Sequence, residues 1–183
     1  MRLHPFPPQS ARQPGGTRLA LLSALSVLHL ACAQETDSLA PPRHVGPARA
    51  EQAVTNRAFQ GISSLAVAPK GRLWVNWYAG KTPGEDHNNY VVLSTSGDSG
   101  TTWKEVLVVD PDGEGVLRTY DPELWVDPSG RLWLLWAQAV SHDKHAHTWA
   151  MVTDDADAEQ PRWSAPRLLA PGVMMCKPIV LRD

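Results

Sequence analysis

A tetrapeptide that recurs at a fixed distance constrains the fold of this chain more than any other feature of its sequence. GRLW at residues 71–74 is found again at residues 130–133, and Trp77 is matched by Trp136, so both pairs are 59 residues apart. A chain that repeats at a fixed period folds as an array of equivalent units, and each unit buries an apolar face against its neighbour. The four tryptophans of the repeat are therefore predicted to pack neighbouring units together rather than to stack on a sugar.

Four segments in the first repeat have the composition of β-strands. They are rich in β-branched and aromatic residues, and clusters of Gly, Pro, Asp and Ser separate them. The four predicted strands are 62–68, 72–79, 90–96 and 103–109. No segment after residue 33 has the apolar period of an amphipathic helix. The sequence therefore predicts an all-β chain.

Tandem four-stranded units of this length are typical of the blades of a β-propeller. We predict a partial β-propeller over residues 57–183, with one blade at about 57–115, a second at about 116–174 and the first strand of a third at 175–183. Because propellers have four or more blades, the chain is expected to be a fragment. A β-sandwich made from the two sheets is the structural alternative.

Residues 1–33 are predicted to be a signal peptide that directs export to the periplasm or out of the cell. The apolar run at 19–30 is short for a membrane span, and Ala-Cys-Ala at 31–33 has the small residues after which signal peptidase cleaves. Two alternatives remain: Cys32 as the lipid-bearing residue of a lipoprotein, or an uncleaved anchor helix. Residues 34–56, rich in Pro, Ala and charge, are predicted to be a linker.

Charge and cysteine content exclude some classes of protein. Among 183 residues, 17 Lys and Arg face 19 Asp and Glu, so the chain lacks the basic excess that binding to nucleic-acid phosphates requires. The two cysteines are Cys32 and Cys176. Cleavage after the signal peptide would leave a single thiol, and the mature chain must then be stabilised by packing rather than by an internal disulfide.

The segment SGDSGTTW concentrates turn-forming residues directly before a tryptophan. The side chains of Ser96 and Asp98 can hydrogen-bond to the nearby backbone, and Gly100 tolerates a positive φ, so a tight hairpin is favoured over a helix. Trp103 is predicted to start the returning strand with a large apolar surface to bury.

The spacing Ser-x-Asp-x-Gly-x-x-Trp in this segment resembles the Asp-box, or BNR repeat, of sialidases and related six-bladed β-propellers. The resemblance covers residues from about 57 to the end of the chain. It implies an exported, exo-α-sialidase-like glycoside hydrolase that acts on a glycan substrate without a cofactor or a metal. A non-catalytic carbohydrate- or protein-binding propeller is the alternative. In this family the Asp-box is structural and lies away from the substrate, so the substrate is expected at the opposite rim.

Polar residues crowd the loop at that predicted rim, where the sequence reads GEDHNNY. A carboxyl group whose pKa is raised by burial can protonate a leaving sugar oxygen, and an imidazole can share that role. Amide and hydroxyl groups match the many hydroxyls of a sugar. The candidates are Glu85, Asp86 and His87 as catalytic groups, and Asn88, Asn89 and Tyr90 as substrate-binding groups. The alternative is a solvated surface loop.

Four further residues are predicted to bind the substrate from other parts of the rim. They are Arg118 and Asp121 at the start of the second repeat, Gln138 in the loop that follows, and Lys177 near the C-terminus. Sialidases hold the substrate carboxylate with arginines, and the first of these arginines lies at the start of the first blade. The matching residues 59–62 of this chain read FQGI and contain no arginine. The histidine-rich loop at 142–147 is predicted to be solvated rather than to hold a metal.

Overall fold

Two antiparallel β-sheets make up the part of the chain that the structure, a computed structural model, describes, namely residues 38–140 and 144–181. The strands are β1 His44–Gly46, β2 Phe59–Val67, β3 Leu73–Gly80, β4 Tyr90–Ser96, β5 Lys104–Asp110, β6 Leu117–Val126, β7 Leu132–Val140, β8 Lys144–Thr153 and β9 Arg167–Pro171. Two short 3₁₀ turns, Ala50–Gln52 and Val54–Asn56, are the remaining regular elements of these ranges. The predicted all-β class is confirmed.

Each repeat forms its own sheet, in which the strands of the repeat follow one another in chain order, and β1 adds to the first sheet beside β5. The first sheet has the order β1-β5-β4-β3-β2 and the second has the order β6-β7-β8-β9. All seven strand pairings of the described residues are antiparallel. In this part of the chain the two sheets are separate and do not close into a ring.

The ends of the described chain differ from the sequence expectation. Within the predicted linker, residues 44–46 pair with β5 as an added edge strand, and the buried Gln52 donates a hydrogen bond from its amide to Asp110 at 2.7 Å. Residues 175–183 were expected to begin a third sheet, but the described part of this segment, residues 175–181, forms no strand. The predicted signal peptide and Cys32 lie outside the described residues. No helix within these residues is long and apolar enough to cross a membrane.

The main hydrophobic core lies between the two sheets. Trp74 of β3 and Trp136 of β7 are completely buried there, with 0% and 1% of their surfaces exposed. The indole nitrogen of Trp74 donates to the carbonyl oxygen of Ala156 at 2.8 Å. The backbone nitrogen of Leu124 in β6 donates to the hydroxyl of Ser64 in β2 at 3.1 Å, so β2 of the first sheet and β6 of the second lie against each other.

Residues 49–57, called the strap below, cover part of the other face of the first sheet. The guanidinium group of Arg57 binds both carboxylate oxygens of Glu105 at 2.5 and 2.8 Å and donates to the hydroxyl of Tyr90 at 3.2 Å. It also lies 5.9 Å from the ring centroid of Trp77. A bidentate arginine pair of this kind ties the strap to β4 and β5.

Equivalent positions of the two repeats have different environments. Leu65 of β2 is 48% exposed, whereas Leu124, 59 residues later, is fully buried against the first sheet. Conversely, Trp74 is buried between the sheets, whereas its equivalent Trp133 is partly exposed on the far side of the second sheet. We call the face with Trp74 or Trp133 the front of its sheet and the face with Leu65 or Leu124 the back. The front of the first sheet therefore packs on the back of the second, and both fronts point in the same direction.

The Asp-box segment forms the hairpin between β4 and β5. The hydroxyl of Ser96 accepts from the nitrogen of Gly100 at 2.9 Å, and the carboxylate of Asp98 accepts from the nitrogen and the hydroxyl of Thr102 at 2.9 and 2.7 Å. Gly100 has φ +86°. Trp103 differs from expectation, since it remains 45% exposed and its indole nitrogen donates to Gly100. β5 begins one residue later, so Trp103 belongs to the turn rather than to the sheet.

We expect Asp98→Asn to remove a pH-dependent part of the stability. Hydrogen bonds from the backbone and hydroxyl of Thr102, then from Ser96, lower the pKa of Asp98 to about 2, below its ordinary value of about 3.9. A lowered folded-state pKa stabilises the fold above pH ~4, and this stabilisation is lost as the pH falls through about 2. Thermal unfolding of the two proteins should therefore differ most above pH ~4 and converge near pH ~2. Asp155→Asn, in the corresponding turn of the second repeat, is the control, and an equal pH dependence of both variants would contradict the prediction.

Candidate functional site

Side chains from both sheets meet at the end of the strands opposite the Asp-box hairpin. The loop between β3 and β4 supplies one of them, β3 supplies one, and the start of β6 supplies three. We call this group the rim cluster, and its members are Tyr78, Glu85, Arg118, Tyr120 and Asp121.

Glu85 is held by two hydrogen bonds within the rim cluster. One carboxylate oxygen accepts from the hydroxyl of Tyr78 at 2.8 Å, and the other accepts from Nη2 of Arg118 at 3.0 Å. The guanidinium carbon of Arg118 lies 4.3 Å from the ring centroid of Tyr120 and 5.8 Å from that of Tyr78. The side chain of Arg118 is 1% exposed and that of Glu85 is 43% exposed. The carboxylate of Glu85 therefore faces solvent, and the buried guanidinium group of Arg118 holds it by a hydrogen bond from the protein side.

The rim cluster keeps the phenol of Tyr78 protonated. Burial raises the pKa of Tyr78, and the hydrogen bond to Glu85 and the negative charges of Glu85 and Asp121 raise it further, against the opposing charge of Arg118. The hydroxyl therefore remains a hydrogen-bond donor to Glu85 at neutral pH. The negative charge of Asp121 at the start of β6 thus adds to that of Glu85 in raising the pKa of this phenol.

Irregular backbone at the same point of each repeat positions the rim cluster. The pairing of β2 with β3 shifts between Gln60 and Ser63, and the pairing of β6 with β7 shifts between Tyr120 and Glu123. Such β-bulges redirect side chains and are common beside functional sites. In the second bulge Asp121 has φ +43°, a left-handed conformation that is unusual for any residue other than glycine.

Gly61, in the first bulge, makes room for the ring of Tyr78. A Cβ atom at Gly61 would lie 2.2 Å from Cζ of Tyr78, well inside van der Waals contact. The ring of Phe59 lies 5.5 Å from that of Tyr78 on the same strand pair. The absence of a side chain at Gly61 therefore decides where the Tyr78 hydroxyl can reach.

Two of the predicted site residues shape the loop that carries Glu85. Asp86 accepts hydrogen bonds from the hydroxyl of Thr82 and from the nitrogen of Asn88, the latter at 2.8 Å. Burial alone would raise the pKa of Asp86, but these hydrogen bonds outweigh it and lower the pKa. Asn89 is buried and accepts from the nitrogen of Asp86 at 2.9 Å. His87 is exposed on the loop surface.

The structure places three predicted substrate-binding residues away from the rim cluster. Tyr90 points to the back of the first sheet, where its hydroxyl contacts Arg57. Gln138 is fully buried, and its amide donates to the carbonyl oxygen of Ala40 at 2.8 Å, which anchors the start of the described chain. The ammonium group of Lys177 donates to a backbone carbonyl of β2.

Of the segment predicted to be a histidine-rich loop, residues 144–147 belong to β8, and His142 and Asp143 lie outside the described residues. His147 lies with its Nδ1 3.1 Å from the hydroxyl of Ser38. No group of three His, Cys, Asp or Glu side chains in the described ranges is arranged to hold a metal ion. Cys176 is exposed.

Sequence reasoning missed the two tyrosines of the rim cluster. Tyr78 directly follows a repeated tryptophan and looks like one more buried strand residue. One difference between the repeats could have drawn attention to this place. The first repeat has Gly61, which leaves room for Tyr78, where the second repeat has Tyr120, 59 residues later. Compared with known proteins, the chain matches no model of a protein family, and no curated protein matches it significantly.

Proposed function

We propose that the two sheets are consecutive blades of a β-propeller of the sialidase-like kind. The direction of the two fronts supports this proposal. In a propeller each blade presents the same face to the next one, so one copy of a repeated residue is buried between two sheets and the other is less buried, as for Trp74 and the partly exposed Trp133. A sandwich that brought equivalent faces together would bury both tryptophans in its centre.

We further propose that the chain belongs to an exported sialidase-like glycoside hydrolase whose substrate binds at the rim cluster. One observation carries this proposal: the carboxylate of Glu85 is held at the rim by the hydroxyl of Tyr78 and by the buried Arg118, in the same cluster as the carboxylate of Asp121 from β6. Glycoside hydrolysis requires a pair of carboxyl groups around the scissile bond. The position at the loop ends of the strands, away from the Asp-box hairpin, is where the resemblance implies a substrate.

Within this proposal, Glu85 acts as a charged carboxylate. The ion pair with Arg118 and the hydrogen bond from Tyr78 both favour its charged form, which accepts a sugar hydroxyl or activates a water molecule. Asp86 is the less suitable general acid, because the hydrogen bonds from Thr82 and Asn88 occupy its carboxylate and lower its pKa. Asp121 is the second carboxyl group of the pair.

A non-catalytic glycan-binding propeller is the second candidate. The observation that favours it is the state of the loop carboxylates: Glu85 is ion-paired and Asp86 is held by hydrogen bonds, so neither is prepared to donate a proton. A binding site needs only acceptors and donors in fixed positions.

Glu85→Gln and Asp121→Asn are expected to separate the two candidates. With fluorogenic neutral, acidic and amino-sugar glycosides, the hydrolase should lose at least ~10²-fold in turnover in either variant, while glycan binding on an array is retained. Glu114→Gln is the matched control, because Glu114 is an exposed carboxylate on a neighbouring loop, where it pairs with Lys81. Glycan binding by the wild-type protein without any turnover would favour the binding propeller. No binding to any glycan would contradict both candidates.

A further inference from the structure

Thr119, the residue between Arg118 and Tyr120 of the rim cluster, ties the start of β6 to the first sheet. It is completely buried. Its hydroxyl accepts from the backbone nitrogen of Val91 at 3.0 Å and donates to the carbonyl oxygen of Val109 at 2.9 Å. Val91 and Val109 face each other across β4 and β5. A side chain of the second sheet therefore bridges two strands of the first sheet at their rim ends.

The backbone of Thr119 also holds the loop that carries Glu85. Its nitrogen donates to the carbonyl oxygen of Asn89 at 3.1 Å. The buried side chain of Asn89 accepts from the nitrogen of Asp86 at 2.9 Å and donates to the carbonyl oxygen of Gly84 at 3.4 Å. Gly84 and Asp86 are the two neighbours of Glu85 in the chain. One continuous set of hydrogen bonds therefore runs from Thr119 to both sides of Glu85.

Gly80 leaves the space that the side chain of Asn89 occupies. A Cβ atom at Gly80 would lie 2.6 Å from Nδ2 of Asn89. The residues 59 positions later in the second repeat are Ala139 and Thr148. A methyl group replaces the open space there and a shorter hydroxyl side chain replaces the amide. The bracing by Asn89 therefore belongs to the repeat whose loop carries Glu85.

We propose that Thr119 and Asn89 are the positioning residues of the rim cluster. Together they hold the carboxylate of Glu85 where it meets Arg118 and Tyr78. A partly exposed glutamate on a loop otherwise samples many side-chain conformations, whereas binding and catalytic groups act only within a narrow range of positions. Arg118 directly precedes Thr119 in β6, so the same contact fixes both members of the ion pair. This inference rests on the proposed function only in taking the rim cluster as the site.

Titration of the Tyr78 hydroxyl tests this inference without any glycan. The chain has three tyrosines, so isotope labelling at Cζ gives three NMR signals, and replacement of each tyrosine by phenylalanine assigns them. The charged groups that act on this hydroxyl are Glu85, Asp121 and Arg118. The hydrogen bond to Glu85 raises the pKa of Tyr78, so loss of that contact lowers the pKa.

We expect Thr119→Val to lower the pKa of Tyr78 by about one pH unit or more, because the variant lacks the hydroxyl that joins β6 to β4 and β5. Asn89→Ala should have the same effect through the loop. Thr119→Ser keeps the hydroxyl and should retain the wild-type titration. Thr95→Val is the matched control: Thr95 is a buried threonine of β4 whose hydroxyl also makes two hydrogen bonds, but at the Asp-box end.

Each variant is first shown to be folded by a cooperative thermal transition. An unchanged Tyr78 titration in a folded Thr119→Val or Asn89→Ala variant, or an equal change in Thr95→Val, overturns the inference. If neither variant folds, amide hydrogen exchange of the wild type decides. Slow exchange at Asp86, a loop residue whose nitrogen donates to Asn89, supports the inference, and exchange as fast as in an open loop overturns it. The expected titration changes without glycan binding by the wild type would contradict the proposed function and support the positioning roles.

Discussion

Replacing Trp74 by alanine is expected to lower the free energy of unfolding by about 4 kcal/mol, because a completely buried indole would leave a cavity between the two sheets. Its ring meets that of Trp163 edge to face at 6.2 Å, and its nitrogen donates to Ala156, so the substitution also breaks a contact between repeats. Chemical denaturation followed by tryptophan fluorescence and by circular dichroism measures the loss.

Trp103→Ala is the matched control for this prediction. Trp103 is nearly half exposed and belongs to the turn, so the same change should cost at most about 1.5 kcal/mol. Equal costs for the two tryptophans would contradict the packing of the front of the first sheet against the second. A cost for Trp103→Ala far above about 1.5 kcal/mol would support the sequence prediction that Trp103 is buried.

Gly61→Ala is expected to destabilise the fold by about 2–3 kcal/mol and to weaken glycan binding at the rim cluster. The added methyl group would lie 2.2 to 2.7 Å from three ring atoms of Tyr78, which forces the ring away. The Tyr78 hydroxyl would then lose its position 2.8 Å from Glu85. Denaturation reports the first effect, and the amplitude of glycan binding reports the second.

A second substitution tests whether the clash with Tyr78 is the cause. Tyr78→Leu shortens the side chain, so the double variant with Gly61→Ala should cost clearly less than the sum of the two single changes. Gly84→Ala is the control, because no atom lies within 4 Å of the added carbon and the effect should stay within about 0.5 kcal/mol. Additive costs in the double variant would show that Gly61 acts through the bulge itself.

Local patterns were sufficient to predict three strands of the first repeat closely. Alternating apolar residues and turn clusters predict β3, β4 and β5 to within one residue at each end, since these signals act over a few neighbours. β1 escaped prediction because three residues carry no period, and its pairing depends on the free edge of β5. No strand lies at the described residues 175–181 of the expected third blade, although the apolar residues 179–181 have the composition of a strand.

The candidate site was predicted less completely than the strands. Glu85, Arg118 and Asp121 were predicted separately, and the fold brings them together because the loop after β3 and the start of β6 share one end of the two sheets. Tyr90 was predicted with them but points to the other face, since side chains alternate along a strand. Lys177 and Gln138 form hydrogen bonds elsewhere, which no spacing rule could indicate.

The sequence by itself determined the all-β class, the turn chemistry of Asp98 and the 59-residue equivalence of Trp74 with Trp133, because each of these is written in neighbouring or repeated residues. Only the tertiary structure decided which of the equivalent tryptophans is buried, which carboxylates surround Tyr78 and how far the strap reaches over the first sheet. These outcomes depend on how two sheets pack, and packing is decided by contacts between residues that are distant in the chain.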